Sequence, residues 1–297
     1  MKLKQGDQVF LVAPGGFIKN RSIVDKTVKL LKKWGLHAKT GKHIFKRQGA
    51  FAGSDNERLE DLQTALDDPQ TKMIWALRGG YGTNRILDSL EFSGFKKNPK
   101  IIAGFSDITL LHNKIQKEGF PSWHTLMPVN LDEQIDEEVL KQTYNAFFGK
   151  PLHYKFDISP YNKGNFTKIK APVTGGNLAI LYSTLGTPWE VDTRNKILMI
   201  EDVGEQLYQI DRMIISMKKA GKFDKLKALL VGQFTSIPEN QTSFEQNIEE
   251  IILQHTGGEN FPVIFNFPVG HIPGNYPVIL GKDAVISAEN NQLSFSQ

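Results

Sequence analysis

The chain reads as an α/β protein whose first half builds a parallel sheet, and three observations predict this. Short apolar runs recur, at Val9–Ala13, Met73–Leu77 and Ile101–Phe105, each of buried-strand length. Stretches with apolar residues at helical spacing lie between or after them. The junctions carry turn and cap residues: Pro14-Gly15-Gly16, Arg78-Gly79-Gly80-Tyr81-Gly82 and Ser106-Asp107. Strands alternating with helices in this way imply a parallel sheet covered on both faces.

Taken in order, Val9–Ala13 is the first strand. Ile23, Val24, Val28, Leu31 and Trp34 then recur at helical spacing, and Gly35 stops the helix. Ser54 and Glu57 have capping-box spacing ahead of Leu59, Leu62 and Leu66. Met73–Leu77 is a strand ended by the glycine cluster. Ile101–Phe105 is another, followed by a helix carrying Ile108, Leu111 and Ile115. From 151 to 172 the periodicity lapses, and Pro151, Pro160, Gly164 and Pro172 punctuate a polar stretch that reads as a linker.

The second half opens with Gly175-Gly176-Asn177 and a short apolar helix, Leu178–Leu185. A strand, Lys196–Ile200, ends in Glu201-Asp202. A helix with Tyr208, Met213, Ile214 and Met217 stops at Gly221. Leu226–Gln233 reads as a strand, Phe244–Gln254 as a helix, and Val263–Phe267 as a strand ending in Pro268-Val269-Gly270-His271. The tail from Pro277 to Phe295 reads as a hairpin turning at Asn290-Asn291. With 297 residues, two domains are expected: 1–150, and 173–297 beyond the linker 151–172.

Composition excludes several chemistries. Apolar residues are 40% and charged residues 23%, a globular mixture. There is no cysteine, which removes disulfides, thiolate nucleophiles and Cys-ligated zinc or iron–sulfur sites. No two of the seven histidines have metal-ligand spacing such as HExxH, so no metal is expected. No apolar run approaches the roughly 18 residues of a membrane span. Met1-Lys-Leu-Lys is basic, but the apolar run after it is too short for a signal peptide, so a cytoplasmic protein with no membrane partner is expected. The net charge of +4 is small for this length, and no nucleic-acid motif is present, so no nucleic-acid partner is expected.

Ligands of open α/β sheets bind beyond the carboxyl ends of the strands. Three residues there carry chemistry. Ser106 lies on a strand-to-helix turn, where a hydroxyl is accessible and the next backbone N–H is unpaired, as a nucleophile requires; it also suits an N-cap, and the full GxSxG form is absent because position 108 is Ile. His271 follows a strand among Gly270, Pro273 and Gly274, as a base beside a surface cleft would, while His112 is a competing base and His124 a pocket candidate. Glu201 at its strand end can orient a histidine or simply cap the turn after it. The glycines at 79–82 fit either a phosphate cradle or an oxyanion donor.

Together these segments resemble the serine LD-carboxypeptidases, a family that includes the microcin C-resistance hydrolases. The resemblance rests on Val12-Ala13-Pro14, Arg78-Gly79-Gly80-Tyr81-Gly82 with Arg85 and Leu87, and Gly104-Phe105-Ser106-Asp107-Ile108-Thr109. It continues through Gly175-Gly176-Asn177-Leu178, Leu185-Gly186-Thr187-Pro188, Ile200-Glu201-Asp202-Val203-Gly204-Glu205, Tyr208 with Asp211-Arg212, Gly232-Gln233-Phe234 and Val269-Gly270-His271. The motifs stand in family order along nearly the whole chain. One departure is His124-Thr125-Leu126-Met127, where the family tends to have His-Gly-Pro-Met.

The resemblance implies Ser106 as nucleophile, His271 as general base and acid, and Glu201 as its orienting carboxylate. The backbone N–H groups of Gly80 and Asp107 would form the oxyanion hole. The implied fold is an N-terminal α/β sandwich on a parallel sheet plus a C-terminal mixed α/β domain, with the site in the cleft between them. The implied activity removes the terminal D-alanine of a murein tetrapeptide in cell-wall recycling, in a homodimer, with no metal or cofactor. Two rival readings stand: a microcin-resistance hydrolase of peptidyl- or aminoacyl-nucleotide amides, and a non-catalytic nucleotide- or sugar-binding module using 79–82 as a phosphate cradle.

Overall fold

The computed structural model describes residues 1–132, 135–238, 244–289 and 292–297. The chain forms two compact units, Met1–Lys150 and Pro151–Gln297. In the first, β1 (Gln8–Val12), α1 (Ser22–Lys33), β2 (His37–Thr40), α2 (Asp55–Asp67), β3 (Thr71–Ala76) and α3 (Thr83–Ile86) come in order. Then follow α4 (Ser93–Lys97), β4 (Ile101–Gly104), α5 (Thr109–Lys117), β5 (Ser122–His124) and α6 (Glu137–Phe148). The five strands of this unit lie in the order β5-β4-β3-β1-β2, all parallel. The order reverses at β1 and β3, so the crevice beyond their carboxyl ends is the switch point where such sheets bind ligands.

Local chemistry accounts for these elements. β1, β3 and β4 are buried almost throughout, as strands covered on both faces must be. β2, with the sequence HAKT, is mostly exposed and lies at the sheet edge. The Ser54 capping box forms as expected: Ser54 Oγ accepts from the Glu57 amide, and Glu57 accepts from the Ser54 amide at 2.8 Å. At the other end of α2, buried Lys100 donates to the carbonyls of Ala65, Leu66 and Asp68 and so ties down the last turn of the helix. Burial draws this ammonium down to about 8. Trp75 and Trp123 fill the interior, and each indole N–H finds a carbonyl, Leu126 O and Ala146 O, both at 3.0 Å.

The second unit contains β6 (His153–Asp157), β7 (Lys168–Asn177), α7 (Leu178–Ser183), β8 (Ile197–Val203), α8 (Leu207–Lys219) and β9 (Ala228–Thr235). After these come α9 (Ile248–Thr256), β10 (Val263–Ile264), β11 (Val278–Leu280), β12 (Asp283–Glu289) and β13 (Gln292–Ser296). One seven-stranded sheet has the order β10-β9-β8-β7-β12-β13-β6. Its β10-β9-β8-β7 side is parallel and its β7-β12-β13-β6 side antiparallel, which makes this unit mixed α/β. Alternation along β8 feeds two cores: Ile197 and Met199 join Phe156, Phe267 and Phe295 on one face. Leu198 and Ile200 join Leu181, Ile214 and Ile251, from α7, α8 and α9, on the other.

Two expectations change. The stretch 151–172, expected as a linker, holds β6 and opens β7, both paired within this sheet. Its polar residues are the solvent-facing half of an alternating pattern, with Tyr154 and Phe156 buried between exposed His153, Lys155 and Asp157. The Val263–Phe267 strand shortens to Val263–Ile264. β12 and β13 form the expected antiparallel pair, while the turn at Asn290-Asn291 lies outside the described residues.

Candidate active site

Ser106 follows β4 and has φ +62°, the left-handed region that a non-glycine residue enters only where the surroundings hold it there. The cap positions belong to its neighbours. Phe105 caps the 3-10 turn Ser106–Ile108, and Ile108 caps α5, so Ser106 is no N-cap. A left-handed serine on a strand-to-helix turn is the geometry of a nucleophile elbow. It is reached here without a glycine at position 108.

The glycine loop packs on this turn. A Cβ placed on Gly79 would lie 3.0 Å from the Ser106 Cβ and 3.3 Å from the Asp107 N, so any side chain there would crowd the Ser106 turn. Gly80 follows at φ +94°. Gly79 O accepts from the Gly16 amide at 2.8 Å, which joins the loops after β1 and β3. The Asp107 carboxylate is buried, and its Oδ2 accepts from Thr83 N at 3.0 Å and Thr83 Oγ1 at 2.7 Å. Burial pushes that carboxyl up, and the two Thr83 hydrogen bonds, then the Arg58 charge, draw it part of the way back. The loop region thus places the exposed Gly80 and the buried Asp107 backbone beside the half-buried Ser106 hydroxyl, an arrangement suited to preorganised donors for a developing anion. A pocket of about 500 Å³ adjoins, lined by Phe51, Asp55 and Arg85 among others. The exposed Tyr81 ring of the loop lies 5.9 Å from Phe51.

The second unit brings Glu201 and His271 together. Glu201 is fully buried, and its Oε2 accepts from His271 Nδ1 at 2.8 Å. With Nδ1–H committed to the carboxylate, the ring's basic lone pair belongs to Nε2. A bulge creates this arrangement. Ile200 pairs with Val231 but Asp202 with Phe234, so Gly232 and Gln233 both oppose Glu201. A Cβ on Gly232 would sit 2.7 Å from Val269 Cγ2 and 3.2 Å from Glu201 Cβ. Glycine there lets the segment that carries His271 approach β8. Asn275, itself buried, accepts from the Gly270 amide at 3.0 Å and fixes the turn around His271.

The neighbouring Asp202 works differently. It accepts from Asn177 Nδ2, the Ala179 amide and the Val203 amide, each at 2.8 Å, and ties the end of β7 to β8. Burial pushes its carboxyl up to about 6, with the Glu201 charge adding to the shift.

The other histidines fall away as bases. His112 is fully buried, its Nε2–H donates to Gly104 O at 2.9 Å, and burial draws it down to about 4. His124 is also fully buried, its ring 5.8 Å from Phe105. Among the described residues no cluster of His, Asp and Glu fits a metal ion, and no helix is long and apolar enough to cross a membrane. Sequence reading missed Arg58, Thr83 and Asn275. Only the glycines near them gave a signal, since a glycine without a turn of its own marks a close approach.

The chain can be placed among known proteins. The LD-carboxypeptidase N-terminal domain model matches residues 9–125, and the LD-carboxypeptidase C-terminal domain model matches residues 170–286. A Bacillus subtilis protein named "Probable murein peptide carboxypeptidase" is 36% identical over 96% of this chain and 90% of its own length. The "Murein tetrapeptide carboxypeptidase" of Pseudomonas aeruginosa is 27% identical over 96% of this chain and 94% of its own. The crystal structure of muramoyltetrapeptide carboxypeptidase from Oxalobacter formigenes superposes with a TM-score of 0.87 at 26% identity, covering 97% of this chain and 98% of that one. The microcin C7 self-immunity protein shares the fold, with a TM-score of 0.86 at 21% identity, covering all of this chain and 97% of that one. On these matches, which span both units, the chain belongs to the LD-carboxypeptidase family.

Proposed function

We propose that the protein is a serine LD-carboxypeptidase that removes the terminal D-alanine from murein tetrapeptides, with Ser106, His271 and Glu201 acting as one triad. The observation that carries this reading is the left-handed backbone of Ser106 against the glycine loop. The buried Glu201–His271 hydrogen bond supports it, because a base needs an orienting partner. The names of the murein-acting relatives support the substrate.

In the mechanism, His271 Nε2 takes the Ser106 proton as Oγ attacks the carbonyl carbon of the L-centre joined to D-alanine. Glu201 stabilises the imidazolium that forms and keeps its own charge. The amides of Gly80 and Asp107 donate to the oxyanion. The C–N bond breaks as His271 returns the proton to the departing amine, and free D-alanine leaves. Water activated by His271 then hydrolyses the acyl-enzyme to the tripeptide and regenerates Ser106. Every step is a proton transfer through His271 or an acyl transfer, from substrate to Ser106 and from Ser106 to water.

This activity fits cell-wall recycling. The finer expectations, a cytoplasmic location and a homodimer, are checked by cell fractionation and by sedimentation of the purified chain. The function itself is tested by incubating the protein with murein tetrapeptides ending in D-alanine or L-alanine, beside an aminoacyl sulfamoyl adenosine. Mass spectrometry should show loss of one alanine from the D-form only. Cleavage of the nucleotide-linked amide alone would move the protein to the microcin-resistance reading.

A further inference from the structure

The mechanism above gives no role to Arg58, yet its side chain is only 1% exposed and ranks among the largest fully buried ones. It lies on α2, and a charged helix residue is rarely fully buried unless it is paired. Its guanidinium donates to Gly82 O at 2.8 Å, to Pro14 O and to the Asp55 carboxylate. Asp55 is gripped from outside by Arg85, whose Nη2 lies 2.7 Å from Oδ2 and whose Nε donates as well. Arg58 therefore clamps the exit of the glycine loop to the end of β1.

The other edge of the same loop is held too. Thr83, the residue after Gly82, gives both its amide and its hydroxyl to Asp107 Oδ2. The entry is held by the Gly16 amide on Gly79 O. The loop 79–82 is thus fixed at its entry by a backbone bond, at its exit by Arg58, and one residue on by Asp107, which follows the nucleophile. Burying a guanidinium against carbonyls is costly, and an apolar side chain of similar size is often tolerated at least as well. A buried cation that only filled space would be a poor choice. One that must hold two carbonyls through Nη1 and a carboxylate through Nη2 at the same time is well suited to the planar fork of Arg.

We propose that Arg58, Thr83 and the Asp107 carboxylate form a positioning frame that fixes the amides of Gly80 and Asp107 as oxyanion donors, so that Arg58 serves the transition state and not substrate binding. The proposal rests on the assignment of Ser106 as nucleophile. Arg58 touches no reacting atom and acts through the loop. The frame's value lies in preorganisation: the donors are in place before charge develops on the substrate oxygen.

The test compares the native protein with Arg58→Met, Arg58→Lys and Thr83→Val, each checked for folding by circular dichroism and thermal midpoint. Three readouts separate the roles: kcat and KM on the murein tetrapeptide, affinity for the tripeptide product, and the labelling rate of Ser106 by a small fluorophosphonate. Arg58→Met should lower kcat and the labelling rate by roughly 10²-fold, with KM and product affinity within about threefold of native. Arg58→Lys should fall between, because an ammonium cannot reproduce the fork. Thr83→Val should lose about tenfold in kcat with the same pattern.

A folded Arg58→Met protein with native kcat and labelling overturns the proposal, as does a loss that falls equally on product affinity. If Arg58→Met does not fold, Thr83→Val decides, and native kcat there overturns it. A native protein that labels at Ser106 but cleaves no tetrapeptide defeats the substrate reading alone, while the labelling rates still judge the frame. Neither labelling nor cleavage by the native protein overturns both.

Discussion

In the first unit Ser106 is set by the main chain: a left-handed φ, glycines without room for a Cβ, and carbonyls clamped by Arg58. In the second unit His271 is set by a side chain, the buried Glu201 carboxylate at 2.8 Å. The difference predicts two sensitivities. A backbone-built half responds to an added methyl group, even far from any charge. A half whose histidine is oriented by one carboxylate responds to loss of charge at constant shape.

The largest effect joins both halves. Ser106→Ala should lower kcat by about 10⁴-fold or more, and His271→Ala by a similar amount, because members of a triad act as a unit. The double variant should be hardly worse than either single one. Additive losses in steady-state kinetics would break the claim that the halves work together.

Glu201→Gln comes next and probes the second unit alone. The amide keeps the shape but removes the charge that stabilises the imidazolium, and turnover should fall on the order of 10³ to 10⁴-fold. Fluorophosphonate labelling should slow with it, and the thermal midpoint should change little by comparison. An active Glu201→Gln protein would show that the carboxylate only fills space.

Gly15→Ala probes the first unit with a single methyl group. Its Cβ would lie 2.5 Å from Asp107 Oδ2 and 2.8 Å from Gly79 O, so the turn and the loop must shift apart. We expect roughly a 10²-fold loss in kcat with KM nearly unchanged. Native kinetics in this variant would mean that the loop has slack and that the backbone account is wrong.

The smallest effect sharpens the comparison through stability. Asp202 titrates near pH 6 in the folded chain, against about 4 unfolded. The folded state holds that proton more tightly between these values. The stability contributed by this carboxyl is therefore full below about pH 4, falls as pH rises to about 6, and is constant above. Urea unfolding of native and Asp202→Asn proteins from pH 4 to 7 should show it as a difference in slope. The native protein should lose on the order of 3 kcal/mol more than the variant across that window. Parallel curves would remove Asp202 from the account.

Much of the fold is legible because buried parallel strands announce themselves as apolar runs. β1, β3, β4, β8 and β9 all do so, and Ser106 and Glu201 sit where those runs end. β6 was hidden by its own alternation, since Tyr154 and Phe156 are separated by polar residues and flanked by prolines. β2 was hidden because an exposed edge strand carries no apolar signal. In the site, the glycines at 79–82 are visible, but the side chains that use them are not. Nothing in the sequence marks Arg58, and its burial depends on carbonyls that only folding brings to it. The left-handed φ of Ser106 leaves no mark either, because serine gives no hint of that backbone state. From the residues alone, His112 competes with His271 as the base. They part only when one proves buried against Gly104 O and the other held by Glu201.

The central claim is that one covalent bond, to Ser106, is formed and broken with the help of the Glu201–His271 pair. Its most direct test is intact-protein mass spectrometry of quenched reactions with murein tetrapeptide, using the slowed Glu201→Gln protein to accumulate the intermediate and Ser106→Ala as control. The account predicts a tripeptidyl adduct that maps to Ser106, free D-alanine in solution, and neither with Ser106→Ala. An adduct on another residue, or D-alanine released by Ser106→Ala at the native rate, would contradict it.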